Sequence, residues 1–161
     1  MSKKECIKFG YAIGNQPAMG DHWEVWKQVK AQSKLILEEV NELEDACSEE
    51  DLLEVLDAVM DIKYLNTYLE HLLEAYGCKT KLAWETVCSN NAQKITNSLS
   101  YAKQSKGHCE YEVGEECYVD ETIFEGEQMF TVKRCSDNKV MKLLNHEHPD
   151  LSVCIPEEFK L

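Results

Sequence analysis

Apolar residues recur at helical spacing over the first two-thirds of the chain. Residues 21 to about 105 are rich in Leu, Glu, Lys and Ala and contain no proline. The apolar positions in this region predict four helices with short connections, so that consecutive helices are antiparallel neighbours. We expect the helices at about 21–47, 48–76, 80–89 and 90–106. The first twenty residues end in a Gly-, Pro- and Asn-containing segment, which predicts a lead-in loop.

Residues with capping preferences mark the ends of the first two predicted helices. Asp21 is the N-cap candidate of the first helix. Ser48, followed by Asp51, resembles a capping box at the start of the second helix, and Gly77 after Tyr76 suits its end. The turn between the two helices is therefore predicted near Ser48.

From about residue 107 the chain is richer in β-branched and aromatic residues. The segments MFTVKRC and KVMKLL, on either side of SDN, predict a β-hairpin. We therefore predict a mainly α fold, with an antiparallel four-helix core and a small C-terminal β-hairpin appendage. The predicted domains are a helical domain with the candidate site at 1–106 and a β-rich extension packed on it at 107–161.

Two glutamates of the first long helix lie on its apolar side. In LILEEVNELEDA, residues 35–46, the apolar side chains share one arc of a helical wheel. Glu39 falls inside that arc, and Glu42 sits at its edge. Because a buried carboxylate is costly unless something pairs with it, both side chains call for a partner.

The second helix repeats this pattern in DLLEVLDAVMDIKYL, residues 51–65. Glu54, Asp57 and Asp61 occupy a common arc of the wheel, while the rest of the helix is apolar nearly all round. Such a helix is expected to be buried, and its acid stripe is expected to be enclosed with it.

The position of the turn predicts how the acids of the two helices face each other. Glu42 lies six residues before Ser48 and Glu54 six residues after it, whereas Glu39 and Asp57 lie nine residues away on either side. Each pair then shares one level of the helical hairpin. Four converging carboxylates repel one another without a cation, but with Mg²⁺, or Mn²⁺ as the alternative, they form a hard-cation site.

Two alternatives compete with a magnesium site. The acids could form an ordinary solvated face, as is common on an acidic chain. A di-iron carboxylate bundle needs Glu-x-x-His pairs, and none of the five histidines has a glutamate three residues before it. The segments His146-Glu147-His148 and His108-Cys109 carry zinc-type donors, but their spacings match no structural zinc pattern.

Composition narrows the classes of partner. The 161 residues, 43% of them apolar, carry 30 acidic against 17 basic side chains, for a net charge of −13. This charge disfavours binding to nucleic acid and to anionic membranes. There is no long apolar run and no signal-peptide core near the start, and the eight scattered cysteines form no CxxC pair. A cytoplasmic protein with reduced thiols is therefore expected.

The acid pattern resembles a known signature. Glu38-Glu39-x-x-Glu42 followed by Glu54-x-x-Asp57 is similar to the EExxE…ExxD motif of the all-α nucleoside triphosphate pyrophosphohydrolases, which include the MazG-like enzymes and the dimeric dUTPases. LDAVMDIKYL and SNNAQKI resemble later segments of the same superfamily, so that the similarity covers about residues 30–100. The hairpin tail resembles those of small single-domain bacterial and phage members.

The resemblance implies a metal site and a reaction. Glu39, Glu42, Glu54 and Asp57 would bind Mg²⁺, and Glu39 or Glu42 would accept a proton from the attacking water. The implied reaction is hydrolysis of a (deoxy)nucleoside triphosphate to the monophosphate and pyrophosphate, with a role in house-cleaning of nucleotide pools.

The remaining implied site residues surround this set. Glu38 would be a solvent-side partner of the ligands. Asp61 would bind another Mg²⁺ or a water, or would instead form an internal hydrogen bond to a neighbour such as Tyr64. Asn91 and Lys94, from an Asn-x-x-Lys pattern, would bind the nucleotide and its phosphates, in the same subunit's site or in a neighbour's.

The resemblance also implies a homodimer or homotetramer, because members of this superfamily build their sites with neighbouring subunits. The connection between the acid motifs is shorter than in dUTPases, so dUTP specificity is not implied. Two other functions stay open: a phosphoribosyl-ATP-type pyrophosphohydrolase, and a non-enzymatic acidic helical protein that binds other proteins.

Overall fold

The computed structural model describes residues 2–18 and 22–160. With 61% of the chain helical and one two-stranded antiparallel sheet near the C-terminus, the predicted mainly α fold with a small β-hairpin is confirmed. No helix in the described ranges is long and apolar enough to cross a membrane. The elements are α1 (Lys3–Ala12), α2 (His22–Ser48), α3 (Leu52–Ala75), α4 (Thr80–Ala92), α5 (Leu99–Val113), β1 (Cys117–Phe124) and β2 (Glu127–Arg134), followed by short 3-10 helices at Ser152–Cys154 and Glu157–Phe159.

The chain forms two compact units. The first comprises Met1–Thr80 together with Cys154–Leu161, and the second comprises Lys81–Val153. The carboxylate motifs fall in the first unit, and the β-hairpin falls in the second. This division differs from the boundary predicted at residue 106, and the assignment of domains stays a prediction.

The N-terminal segment contains a helix where the sequence pattern predicted a loop. The backbone N–H of Ser2 donates to Oε2 of Glu5 at 2.6 Å, which is half of a capping box that starts α1. Lys3 Nζ donates to Glu74 Oε1 at 2.9 Å and so ties α1 to α3. The Ser-x-x-Glu signal was present in the sequence, but the Gly-, Pro- and Asn-containing segment that follows favoured a loop.

The first unit is built on the antiparallel pair α2 and α3, with α1 against α3. Its core cluster is Cys6, Val25, Tyr68, Leu72 and Tyr76, with Val29, Tyr64 and Phe159 packed on it. At Gly10, α1 and α3 approach so closely that an added Cβ would clash with the Tyr68 ring, so only glycine fits there.

The turn between α2 and α3 differs in detail from the predicted capping box. Asp51 itself is the N-cap, and its carboxylate accepts from the backbone N–H groups of Leu53 at 2.9 Å and Glu54 at 3.2 Å. Ser48 is the last residue of α2, and its hydroxyl donates back to the carbonyl of Glu44. The N-cap predicted at Asp21 lies outside the described residues. The end of α3, with Tyr76 as its C-cap, is as predicted.

In the second unit, the β-hairpin uses a different turn from the predicted one. β1 pairs with β2 in register from Cys117 opposite Arg134 to Phe124 opposite Glu127. The two turn residues are Glu125, with φ of 52°, and Gly126, with φ of 86°, as in a two-residue hairpin loop. The predicted strand KVMKLL contributes only an isolated bridge from Val140 to Lys133.

The last two helices also differ from their predicted limits. The predicted junction at residues 89–90 lies inside α4, and the chain leaves helical structure only after Ala92. Thr96 then exchanges both backbone hydrogen bonds with Phe130, at 3.0 and 2.7 Å, and the Ser98 hydroxyl accepts from the N–H of Tyr101 as the cap of α5. Non-local pairing of this kind leaves no periodic signal in the sequence.

Candidate functional site

The two acid motifs lie on the paired helices of the first unit. Glu39 and Glu42 are on α2, and Glu54 and Asp57 are on α3. A hydrogen bond of 3.1 Å from the Gln32 side chain of α2 to the Leu65 carbonyl of α3 reports the register of the pair. Gln32 lies seven residues before Glu39, and Leu65 lies eight residues after Asp57. The observed register therefore agrees, within one residue, with the predicted pairing of levels.

The exposure of these acids differs from the prediction. Glu39 is half-buried, whereas Glu42, Glu54 and Asp57 are exposed, so the expectation of an enclosed acid stripe on α3 is wrong for this chain. The apolar side chains beside the stripe are open as well, with Leu52 79% exposed. α3 is apolar on most sides, as the sequence indicates, but many of its apolar side chains are exposed in the single chain.

Glu39 is the electrostatic centre of the acidic group. Partial burial raises its pKa most, and the negative charges of Glu42, Asp61, Asp57 and Glu38, in that order, raise it further. The acids of both helices therefore act on one carboxylate. Glu54 is not among the charges that raise the pKa of Glu39.

The acidic group has no basic ion-pair partner in the part of the chain that the structure describes. Among the described residues, none of the six acids (Glu38, Glu39, Glu42, Glu54, Asp57 and Asp61) forms an ion pair with Lys, Arg or His. In the same part of the chain, no three His, Cys, Asp or Glu side chains are arranged to hold a metal ion as they stand. The exposed side chains would have to change rotamer to converge on one ion.

Asp61 belongs to the acidic group and not to an internal hydrogen bond. Its charge raises the pKa of Glu39 more than the charge of Asp57 does. In the described part of the chain, no hydrogen bond joins Asp61 to Tyr64, whose ring instead packs on the core and contacts Phe9 at a centroid distance of 6.3 Å. Asp61 therefore acts electrostatically on Glu39, and its role toward a metal ion stays a prediction.

Asn91 and Lys94 lie in the second unit. Asn91 is near the end of α4, and Lys94 is two residues past it, in a turn and not on a helix. The Lys94 Nζ donates to Oδ1 of Asn91 at 2.7 Å, and the Asn91 amide donates to the carbonyl of Val87. The two residues therefore form one polar pair, and their role in binding the nucleotide stays a prediction.

A cavity of about 400 Å³ in the second unit is a feature that the sequence did not single out. Lys94 lines it together with basic residues from the segment 139–146. The sequence predicts that KVMKLL is the strand partner of β2. In the structure β1 is that partner, and the lysines of KVMKLL line the cavity.

The chain is similar to a known family over the region of the acid motifs. Residues 21–90 match the family model of phosphoribosyl-ATP pyrophosphohydrolase, which is part of the MazG-like all-α nucleoside triphosphate pyrophosphohydrolase superfamily. The resemblance seen in the sequence is confirmed, and the protein is a nucleotide pyrophosphohydrolase, a hydrolase acting on acid anhydrides. The match includes all six acids and ends one residue before Asn91. No curated protein and no solved structure matches the chain significantly.

The donor set fits the metal chemistry of this class. Pyrophosphohydrolases of the matched family typically depend on divalent metals. Carboxylate oxygens are the ligands that Mg²⁺ prefers, and the acids of this group form no ion pair with a basic side chain among the described residues. A divalent cation would supply the compensating positive charge.

Proposed function

We propose that the protein is a Mg²⁺-dependent nucleoside triphosphate pyrophosphohydrolase. It converts a nucleoside triphosphate, most suitably a deoxynucleotide, to the monophosphate and pyrophosphate. The observation that carries the proposal is the acidic group around Glu39, which joins two helices, has no basic partner in the described residues and lies inside the segment matched by the pyrophosphohydrolase family. House-cleaning of the nucleotide pool is the physiological role that fits this reaction.

The proposed ligands of the metal are Glu39, Glu42, Glu54 and Asp57. When bound, Mg²⁺ or Mn²⁺ neutralises phosphate oxygens and lowers the pKa of a coordinated water. Glu39 or Glu42 accepts the proton of the attacking water. Glu38 and Asp61 add negative charge around Glu39. Asp61 is also suited to bind a further ion or a water.

Asn91 and Lys94 are proposed to bind the nucleotide. Their side chains are already joined by a hydrogen bond, so a phosphate oxygen can accept from the Lys94 ammonium while the Asn91 amide contacts sugar or base. This role rests on the motif and on the observed pair.

A second substrate is favoured by one specific observation. The matched family model is that of phosphoribosyl-ATP pyrophosphohydrolase. Phosphoribosyl-ATP carries the same scissile phosphoanhydride bond as a nucleoside triphosphate, so the acidic group suits both substrates. Selection between them depends on contacts to the base and the added ribose phosphate.

We propose a homodimer or homotetramer as the active form. The support is the apolar surface of the helical pair, which stays open in the single chain although α3 is apolar nearly all round, as a buried helix is. Its exposed members include Leu37 and Val40 on α2 and Leu52, Leu53, Leu56, Val59 and Met60 on α3. A second copy of the same surface would cover it.

The proposed compartment is the cytoplasm, which holds the nucleotide pool and keeps thiols reduced. All eight cysteines are free in the structure. The net charge of −13 supports a small-molecule substrate and disfavours nucleic acid and anionic membranes as partners.

The decisive experiment is an assay of pyrophosphate release. The purified protein is incubated with standard and modified deoxynucleoside triphosphates, ribonucleoside triphosphates and phosphoribosyl-ATP, with Mg²⁺, with Mn²⁺ or with EDTA. Metal-dependent release from a triphosphate supports the proposal, and release from phosphoribosyl-ATP alone selects the second candidate. Absence of release from every substrate would contradict the enzymatic assignment and favour an acidic protein that binds other proteins.

A binding measurement complements the assay. Because Mg²⁺ binds the folded state, it should raise the melting temperature of the wild-type protein in proportion to the logarithm of its concentration. The variant Glu39→Gln/Asp57→Asn should show a much smaller rise. Equal melting temperatures with EDTA and with millimolar Mg²⁺ would contradict the metal site.

A further inference from the structure

The second unit contains a cavity whose walls are independent of the acidic group. It lies between α5, which contributes His108, Cys109, Glu112 and Val113, and the segment 139–146. Its volume of about 400 Å³ falls in the range of small-molecule sites. None of the six acids described above lines it.

Hydrogen bonds hold the walls in place. The Cys109 thiol donates to the carbonyl of Lys142 at 3.0 Å, and the N–H of Leu144 donates to the Ser105 hydroxyl at 3.1 Å. On the other side, the segment is fixed to β2 through Met141 N–H to the Val132 carbonyl at 2.7 Å, and Arg134 N–H to the Lys139 carbonyl at 3.0 Å. The cavity is therefore part of the folded unit.

The lining is basic, which is unusual on a chain with a net charge of −13. Three lysines and two histidines line the cavity, against the single carboxylate of Glu112. In the described residues none of the three lysines forms an ion pair with a carboxylate. Two of them form hydrogen bonds: Lys94 with Asn91, and Lys142 with His148 at 2.9 Å. The charge of Lys139 helps to lower the pKa of Asp137. The lysines are Lys94, Lys139 and Lys142, and the histidines are His108 and His146.

His146 adds unused polar groups to this cavity. Both of its ring nitrogens are shielded from solvent, and neither has a hydrogen-bond partner among the described residues. Buried polar atoms are normally paired, so two such atoms on one lining side chain call for a ligand that can pair with them. Its ring is held against that of His148 at a centroid distance of 6.5 Å.

The rest of the lining is apolar. Val113, Val140, Met141, Leu143 and Leu144 supply the other walls. A site with a few cationic groups and several apolar side chains suits a ligand that has one anionic end and a hydrophobic or planar body. Inorganic phosphate would use only the basic part of such a site.

We propose that this cavity binds a small organic phosphate, with the phosphate group at Lys94, Lys139 and Lys142 and the organic body on the apolar wall. Lysine recognises phosphate as a compact point charge, and the imidazole of His146 can pair with one further oxygen. The proposal goes beyond the proposed function, because this binding needs neither the carboxylates nor a metal ion. Of its residues, only Lys94 is shared with the residues proposed to bind the substrate.

The test uses the whole protein in buffer with EDTA and three probes: adenosine monophosphate, adenosine and inorganic phosphate. Binding is followed by ¹H–¹⁵N NMR and by calorimetry. We expect adenosine monophosphate to bind more tightly than either other probe, to shift the amide signals of residues 105–113 and 139–146, and to bind more weakly as NaCl is raised. If adenosine monophosphate at millimolar concentration shifts none of these signals, the proposal is wrong.

Variants identify the basic groups. Lys139→Ala/Lys142→Ala should weaken adenosine monophosphate binding at least tenfold, whereas Lys139→Arg/Lys142→Arg should retain most of it. Lys103→Ala is the matched control, because Lys103 is an exposed lysine of α5 that does not line the cavity. Unchanged affinity in the double alanine variant, with a native NMR spectrum, would overturn the proposal.

A further variant separates this proposal from the proposed function. Glu39→Gln should lose pyrophosphate release and keep metal-free binding of adenosine monophosphate unchanged. Loss of binding in this variant would place the ligand at the acidic group and refute the separate site. If the wild-type protein binds adenosine monophosphate but releases no pyrophosphate from any substrate, the cavity proposal stands while the proposed function fails.

Discussion

At the scale of single residues, Glu39 differs from the other acids of the chain. It is half-buried, while Glu42 and Asp57 remain exposed. Its partial burial raises its pKa most, and the charges of both helices raise it further. Folding therefore works against the ionised form of this carboxylate. A side chain placed at a cost to the fold is a candidate for function, because stability alone would favour a neutral group there.

Replacement of Glu39 by glutamine should separate function from stability. Glu39→Gln removes a proposed metal ligand and proton acceptor, so pyrophosphate release should fall at least a hundredfold. The same change removes repulsion, so the free energy of unfolding in EDTA should be equal to that of wild type or higher. Release is measured with Mg²⁺ and unfolding by urea titration.

The control for this variant is Glu44→Gln, which removes an exposed acid from the same helix. It should leave both quantities near their wild-type values. Full activity in Glu39→Gln, or unfolding of that variant, would contradict the assignment of Glu39.

The raised pKa of Glu39 also predicts a pH dependence. Because the folded protein holds this proton more tightly than the unfolded chain does, the stability that Glu39 contributes is highest at low pH. It should decrease as the pH rises from the unfolded pKa near 4.5 through the higher folded pKa. Urea unfolding in EDTA at a series of pH values, for wild type and Glu39→Gln, isolates this contribution.

The expected difference has a definite sign. Relative to Glu39→Gln, the wild-type protein should lose stability as the pH rises from 4 to 7, and added Mg²⁺ should reverse the trend. A wild-type protein that gains stability relative to the variant over this range without metal would contradict the raised pKa of Glu39.

At the scale of elements, helices specified by local sequence patterns were predicted correctly, whereas elements that depend on non-local pairing were not. The limits of α2 and α3 were predicted well because long periodic patterns and local caps specify them. α1 was missed because the 10 residues of Lys3–Ala12 are too short a stretch for a repeating helical pattern. The strand partner of β2 was wrong because a Glu125–Gly126 turn needs positive φ at a glutamate, which local preferences do not favour.

The candidate site shows the same division. Spacing on a helix selected Glu39, Glu42, Glu54 and Asp57, and the predicted register holds within one residue. Exposure could not be predicted, because it depends on what covers the apolar side of α3. The cavity at Lys139 and Lys142 was missed, since its walls depend on the actual hairpin.

The cap at Asp51 is the element that sets the start of α3 and therefore the height of its acids. Asp51→Ala leaves two backbone N–H groups of the first turn without their acceptor. It should lower the free energy of unfolding by about 1 kcal/mol. Ser48→Ala, the matched control, should cost much less, because the Ser48 hydroxyl only donates to a carbonyl within α2.

Urea unfolding of the two variants measures this difference. Because the cap also fixes the register, Asp51→Ala should weaken the Mg²⁺-induced rise in melting temperature. A larger loss of stability in Ser48→Ala than in Asp51→Ala would restore the originally predicted capping box.

At the scale of the whole molecule, the single chain leaves a large apolar surface on the pair α2 and α3 exposed to water. Leu53 is 72% exposed and Leu56 is 56% exposed on α3, and Leu37 is 58% exposed on α2. Side chains of this size contribute to stability only when they are covered. The same surface borders the acidic group, so a second copy that covers it would also partly enclose the carboxylates and strengthen their attraction for a cation.

A substitution on this surface should therefore change the mass of the particle before it changes the fold. In a two-fold symmetric interface Leu56 is buried twice, and burial of one leucine contributes about 1.5–3 kcal/mol. Leu56→Gln should accordingly raise the dissociation constant of the oligomer more than tenfold, with an unchanged helical circular dichroism signal. Ile123→Gln, at a 69% exposed position of β1, is the control and should leave the mass unchanged. Sedimentation velocity over a range of concentrations measures the effect; a wild-type protein that is monomeric throughout, or a Leu56→Gln variant with the wild-type mass, would refute this interface.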